Sequence, residues 1–372
     1  MFEMTTRQTR SRLELKTNPD WILGERLGPA FLSYRRRFKR IERRLENRPP
    51  APMHLDIDVT TVCQLACPMC PASLDGAENP FPGFGLFMDE EIYFEVLKQA
   101  QNKGVPSLRL GVTGEPLLVP DLDQWVFAAK EAGFLDVALV TNGQLLDEKT
   151  SERLVKAGLT RLMISVDAAS AAVYERVRPG GDFERLLGNI ETFLNVRQDL
   201  GGPLPLLRLS FVVMGSNRAE MDAFREKFAG SADYLAFQDY LRIVGPTTQA
   251  LRTDEDHLET KPFSCPDPLT RLAIYADGSM FPCCSDFGRL EPVGSLWDMS
   301  LEQAWNSPRA LKLAQPEGRN CLSCRKCREA SRNDAAESLS GDDEEADPEN
   351  PWPLPLKALE ELGQEARRFG AR

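Results

Sequence analysis

Histidine is almost missing from this chain: His54 and His257 are the only two in 372 residues. Any metal site must therefore rest on sulfur or carboxylate, which excludes the imidazole-rich zinc enzymes. No run of eighteen or more apolar residues exists, and the N-terminus lacks an apolar signal core, so no membrane span is expected. The chain reads as soluble and cytoplasmic. Basic excess is also lacking. The net charge of −11 argues against a general nucleic-acid binder, which needs a basic footprint for phosphate. No internal repeat is present, which excludes a solenoid.

What is present is unevenly placed. Eight Lys/Arg lie between Tyr34 and Arg48, whereas Asp334 to Glu349 holds eight acids and no base. Nine cysteines fall into two groups: Cys63, Cys67 and Cys70, then Cys265, Cys283, Cys284, Cys321, Cys324 and Cys327. An odd number in two groups, without a secretion signal, disfavours a disulfide framework. Thiolate clusters in a reducing compartment usually hold metal, and with so little histidine that means iron–sulfur or cysteine-only zinc.

Residues 1–50 read as a basic segment with one amphipathic helix over Pro29–Leu45, ended by Pro49-Pro50. From Met53 the pattern becomes short apolar runs alternating with helical stretches. Strands are expected at His54–Thr60, Leu108–Val112, Val137–Thr141, Leu162–Val166, Leu206–Val213 and Tyr234–Gln238. Helices are expected near Asp89–Gln101, Asp121–Ala132, Asp147–Ala157, Phe183–Leu200 and Ala219–Phe228, with Asp89, Asp121 and Asp147 as caps. Six such βα units fall short of an eight-unit barrel. The fold class is therefore α/β, a partial (β/α)6 barrel over 51–245, followed by a small cysteine module over 262–330. The remaining 331–372 read as an acidic, Pro-rich tail with a short helix.

In such barrels chemistry sits at the C-terminal ends of the strands. Cys63 follows the first strand, Gly114-Glu115 the second, Thr141-Asn142-Gly143 the third, and Ser165 and Asp167 the fourth. The first cysteine group is C-x3-C-x2-C. Three thiolates hold three irons of a [4Fe–4S] cubane and leave the fourth open. Structural zinc would want a fourth ligand, and none lies in this loop.

This loop, in this strand context, resembles the radical S-adenosylmethionine (radical SAM) superfamily. The resemblance covers roughly residues 51–330. It implies that Cys63, Cys67 and Cys70 hold a cluster whose open iron binds S-adenosylmethionine, and that one electron cleaves this cosubstrate to a 5′-deoxyadenosyl radical. An external donor such as flavodoxin or ferredoxin supplies that electron. The family usually has an aromatic residue before the last cysteine, where this chain has Met69. Thr113-Gly114-Glu115-Pro116 is similar to the family's GGE turn, whose glutamate accepts from the methionyl ammonium. Ser165 and Asp167 match the segment that meets methionine carboxylate and ribose. Arg178 is the candidate carboxylate clamp, and Val213 and Met214 lie where the family packs adenine. Standing alone, each of these would read equally well as an ordinary turn, surface or core residue.

The second group resembles the SPASM/twitch auxiliary-cluster module. Cys265 is followed by Asp277-Gly278, a hairpin signal, then by Cys283 and by Cys321, Cys324 and Cys327. A complete two-cluster module needs seven cysteines, and this chain offers six. One auxiliary [4Fe–4S] cluster is therefore expected on Cys265, Cys283 and two or three of Cys321, Cys324 and Cys327, with Cys284 spare. A four-cysteine zinc ribbon is the plainer alternative. The resemblance implies a small-molecule or peptide substrate. A polar sugar or aminocyclitol is preferred, for oxidation or epimerisation. Ribosomal-peptide maturation is the runner-up, because 1–50 is too short and basic for the winged-helix leader-binding domain of many peptide modifiers. A non-catalytic electron-transfer protein is a third reading, which the open iron and Glu115 disfavour. Pro71–Met88 reads as a lid or a surface loop, and Gln238, Asp239, Tyr240 and Arg242 face the expected substrate space.

Two [4Fe–4S] units predict about eight irons and as many sulfides per chain after anaerobic reconstitution, roughly half of them lost when Cys63, Cys67 and Cys70 are replaced together. A zinc-only protein without charge-transfer absorption would refute this.

Overall fold

The computed structural model describes residues 2–4, 11–15, 19–45, 48–73, 85–240, 265–286, 289–315, 318 and 324, all within the compact unit Met1–Glu337. In chain order the elements are β1 (Phe2–Met4), β2 (Ser11–Leu15), α1 (Pro19–Leu27), α2 (Pro29–Arg44), β3 (His54–Ile57), α3 (Glu90–Asn102), β4 (Ser107–Leu110), α4 (Leu122–Glu131), β5 (Asp136–Thr141), α5 (Glu148–Lys156) and β6 (Arg161–Ser165). There follow α6 (Ala171–Val177), α7 (Phe183–Asp199), β7 (Leu206–Val213), α8 (Met221–Phe228), β8 (Tyr234–Asp239), α9 (Asp267–Thr270), β9 (Arg271–Ile274), β10 (Ser279–Phe281), β11 (Gly294–Ser295), α10 (Leu301–Trp305) and α11 (Pro308–Ala314).

Alternation along the strands decides the architecture. Leu55, Ile57, Leu108, Leu110, Leu207 and Leu209 point outward into one continuous core under the helices. Their neighbours Asp56, Arg109 and Arg208 consequently point into the barrel. Strands β3 to β8 are parallel and sequential, each bonded to the next. The six expected strands are there, with helices following the first five among the described residues. The sheet does not stop with them: its order is β1-β2-β8-β7-β6-β5-β4-β3-β9-β10-β11. Strand β9 pairs parallel with β3, matching His54 to Arg271 and Ile57 to Ile274, so the cysteine module continues the barrel sheet. At the other edge β2 pairs antiparallel with β8.

Helix boundaries follow local chemistry. Asp89 caps α3 by accepting from Glu91 N (2.9 Å), and Asp147 caps α5 by accepting from Thr150 N (2.8 Å). Asp121 does not cap α4. It sits at φ 51° and its carboxylate is turned to Arg153 at 2.5 Å, so the ion pair wins over the cap.

The expected basic helix is α2, but it does not stand apart. Phe31, Tyr34, Phe38 and Ile41 are buried with Leu23, Met53, Leu206 and Tyr234. Full burial stabilises by roughly 2 kcal/mol for each such side chain. Tyr34 hydrogen-bonds Ser107 (2.9 Å), which in turn meets His54 Nδ1 (2.6 Å). Ser107, His54, Leu206 and Tyr234 each begin a strand, so α1 and α2 close the N-terminal mouth of the barrel. Asp20 of α1 completes the plug: Arg161 Nη2 lies 2.7 Å and Arg35 Nη2 3.0 Å from its carboxylate. Reading 1–50 as one helix therefore missed β1, β2 and α1, whose short polar stretches carry little periodic signal. The tail after 331 lies outside the described residues.

Burial alone would raise the Asp20 pKa, but the Arg35 and Arg161 guanidiniums outweigh it and hold the acid well below its ordinary 3.8. Its ion pairs thus contribute fully above that value and are lost as pH falls below it. Asp20→Ala should cost about 3–5 kcal/mol at neutral pH, because it strands buried guanidiniums. Urea denaturation should show the gap to wild type narrowing below pH 3.8. An unchanged gap there would refute the assignment.

Candidate functional site

The loops after β3, β4 and β5 meet at the C-terminal mouth, held mostly by backbone. Gly114 N donates to Thr60 O (3.1 Å), Glu115 N to Val62 O (2.8 Å) and Ala66 N to Pro179 O (2.9 Å). These bonds press the turn after β4 against the cysteine loop so tightly that a Cβ on Gly114 would lie 2.3 Å from Thr60 O and 2.6 Å from Val62 O. Glycine is therefore required here for room, not for torsion.

Cys67 is buried, and Cys63 and Cys70 are half-buried. Burial raises all three thiol pKa values, that of Cys70 to about 12, and neighbouring cysteines of the loop raise those of Cys67 and Cys70 further. The three sulfurs thus lie within electrostatic reach of one another. Such thiols resist ionising unless a cation joins them, since a coordinated thiol is deprotonated by its metal. Among the described residues no three His, Cys, Asp or Glu side chains converge closely enough for one metal ion. Two side-chain donors already face the sulfurs: Asn142 Nδ2 lies 3.7 Å from Cys63 Sγ, and Arg178 Nη1 lies 3.9 Å from Cys67 Sγ.

Glu115 is buried and much used. Its carboxylate accepts from Thr141 Oγ1 (2.6 Å), Asn142 N (2.7 Å) and Leu117 N (3.0 Å). A carboxylate has about four acceptor positions, so one remains. Burial nonetheless raises its pKa, against the pull of these donors. Asp58, on the inner face at the end of β3, accepts from Thr113 N (3.0 Å) and Oγ1 (2.6 Å) and fixes the start of the same turn. Burial raises the Asp58 pKa to about 6.

Asp167 and Arg178 come together in a way the sequence did not foretell. Asp167, at φ 65°, accepts from Val212 N (2.6 Å) and from Arg178 Nη2 (2.5 Å), and its own carbonyl accepts from Asn217 Nδ2 (2.9 Å). The carboxylate offered above to a ribose also holds Arg178. Arg178 keeps one buried donor, Nε, without a hydrogen-bond partner. Ser165 ends β6 half-buried, in register with Ser210. Met214 is fully buried in a small apolar group with Val177, Met69, Val212 and Tyr240, whereas Val213 belongs to the main core.

In the module, the Asp277-Gly278 hairpin joins β9 to β10, with Gly278 at φ 81° and Tyr275 N bonded to Ser279 O (2.9 Å). Arg48 lies 3.5 Å over the Trp305 ring and donates to Trp305 O (2.7 Å), tying the segment before β3 to α10. Cys265, Cys283 and Cys324 are half-buried. Cys321 and Cys327 lie outside the described residues, as do 74–84 of the expected lid, Arg242 and the side chain of Asp239. Cys284 is turned inward, packed with Val112, Ala273, Tyr275 and Phe281. Burial raises its thiol pKa to about 11.

Comparison with known proteins now decides the family. A model described as the radical SAM superfamily matches residues 57–209, and one described as an iron–sulfur cluster-binding SPASM domain matches 265–328. Residues 57–209 are a radical SAM domain. The α/β barrel carries a C-terminal SPASM module, and the two domains bind [4Fe–4S] clusters and S-adenosylmethionine. A probable GTP 3′,8-cyclase of Saccharolobus islandicus is 33% identical over 172 residues, covering 46% of this chain and 51% of that one. A GTP 3′,8-cyclase of Clostridium botulinum is 32% identical over 174 residues, with the same coverage. This radical SAM chain thus spans about half the length of those relatives. In fold it is similar to native anSMEcpe with bound AdoMet (TM-score 0.54, 17% identity, 76% of this chain and 92% of that). It is likewise similar to Streptococcus suis SuiB bound to S-adenosylmethionine (TM-score 0.52, 17% identity, 77% and 73%). No helix among the described residues is long and apolar enough to cross a membrane.

Sequence reasoning passed over Asp58, and it placed Thr141 and Asn142 at a strand end without giving them a role. The usable signal was position, since each sits at the C-terminal end of a strand. Gly114→Ala should displace the cysteine loop and lower iron content from about eight to about four per chain, with the SPASM cluster retained. Iron analysis with circular dichroism would test it, and full iron loading would show that the close approach is dispensable.

Proposed function

We propose that this radical SAM enzyme abstracts a hydrogen atom from a polar small molecule of sugar or aminocyclitol type, leading to oxidation or epimerisation. The observation that carries the chemistry is the meeting, at one barrel mouth, of a loop of three cysteines, the remaining acceptor position of Glu115 and the unpartnered Nε of Arg178. When bound on Cys63, Cys67 and Cys70, the cluster supplies the electron that cleaves S-adenosylmethionine and so generates the hydrogen-abstracting radical.

The remaining roles belong to the side chains. Glu115 suits the ammonium of S-adenosylmethionine, an acceptor for a strong charge-assisted bond. Arg178, aimed by Asp167, suits its carboxylate, and Ser165 offers a hydroxyl beside them. Met69 and Met214 form an apolar floor suited to adenine. Gly114 gives the close approach that keeps Glu115 beside the cysteine loop. Cys265 and Cys283, with Cys321, Cys324 and Cys327, supply thiolates for an auxiliary cluster near the substrate. The small-molecule reading is supported by relatives named for GTP, a polar small molecule.

Under dithionite, anaerobically reconstituted protein should form 5′-deoxyadenosine slowly without substrate. Glu115→Ala should weaken S-adenosylmethionine binding by roughly 1.5–3 kcal/mol, the worth of a charge-assisted bond. Unchanged affinity would remove Glu115 from the ammonium site, and absence of 5′-deoxyadenosine from wild type would refute the radical chemistry.

A further inference from the structure

The inside of the barrel holds one positive charge that no described carboxylate neutralises. Arg109, Arg208 and Arg271 point inward, because their strand neighbours Leu108, Leu110, Leu207, Leu209 and Leu272 pack outward. Asp56 serves the first group of charges. It lies 2.7 Å from Arg109, 3.9 Å from Arg271 and 3.2 Å from His54, and Arg271 also reaches Asp267 at 3.3 Å. Lower in the barrel Arg161 is matched by Asp20 and Asp136.

Arg208 has no such partner among the described residues. Its Nη1 donates to the thioether sulfur of Met163 at 3.6 Å, and its Nε is buried without a hydrogen-bond partner. Burial lowers its pKa, and Arg109 and Arg161 lower it further. A guanidinium stays charged even so. An interior charge without a counter-charge is costly to keep, and a fold built around one gains little from it unless an anion arrives. Arg109, whose charge acts on Arg208, also has an unpartnered buried Nε; its side chain keeps 23% exposure, and Arg208 is itself only half-buried.

We propose that Arg208, assisted by Arg109, receives an oxyanion of the substrate, either phosphate or carboxylate, inside the barrel. The planar guanidinium fork matches both groups. This rests on the small-molecule reading above and narrows it. An acidic or phosphorylated sugar fits, whereas a cationic aminocyclitol would meet uncompensated positive charge.

The test uses the reconstituted full chain. Thermal unfolding is followed against inorganic phosphate and against acetate, with potassium chloride at matched ionic strength. Wild type should be stabilised saturably by phosphate, by acetate, or by both beyond the chloride control, and the preferred anion names the group. Arg208→Met should bind that anion at least about tenfold more weakly. Without the anion it should be as stable as wild type or more so, because an uncompensated charge has gone. Should Arg208→Met not fold, Arg208→Lys decides, with several-fold weaker binding expected of a point charge. Stabilisation no greater than chloride gives, or unaltered anion affinity in the folded variant, overturns the proposal. Formation of 5′-deoxyadenosine by wild type is scored in parallel. Its failure would strike the proposed function and leave the anion result standing, and the converse also holds.

Discussion

Parallel pairing of β3 on both of its edges is the constraint on which the rest depends. One edge meets β4, which ends at the turn carrying Gly114 and Glu115. The other meets β9, the first strand of the SPASM module. The C-terminal end of β3 leads directly into the cysteine loop. One four-residue strand therefore fixes three things together: where the cysteines lie, where Glu115 lies, and where the second cysteine group begins. Its inward side chains add a fourth, since Asp56 and Asp58 anchor the interior arginines and the turn after β4 respectively.

From that frame the two ends of the barrel acquire opposite characters. The N-terminal mouth is shut by aromatic residues of α2 and by ion pairs centred on Asp20. The C-terminal mouth is built of loops, and it is there that donors and acceptors remain unspent: one position on Glu115 and one on Arg178. Between the two ends, inside the barrel, Arg109 and Arg208 each keep a further buried Nε without a hydrogen-bond partner.

Much of this was legible in the sequence because it depends on short-range signals. Strands β3 to β8 came from apolar runs of strand length, α3 and α5 from Asp caps, and the cysteine loop from its spacing. The parts that were not legible depend on long-range choices. Whether Asp121 caps a helix or pairs with Arg153 is decided by where α5 lies. Whether Asp167 faces a ligand or holds Arg178 is decided by a backbone turn at φ 65°. Strand β2 escaped notice because the alternation Ser11, Arg12, Leu13, Glu14, Leu15 is too short and polar to announce a strand until β8 offers it an edge. The pairing of β9 with β3 has no local signature at all, since its partner lies more than two hundred residues away.

The strand order bears on association between molecules as well. A partial barrel is an open sheet, and an open sheet leaves two rows of unpaired amides that invite another chain to add a strand. Here β2 covers β8, and β9, β10 and β11 cover β3, so among the described residues the strands left outermost are β1, of three residues, and β11, of two. Edges that short give an incoming strand almost nothing to register against. The barrel is thus left unclosed, as a substrate entrance needs, without the templating surface that an unclosed sheet would otherwise present to its own copies.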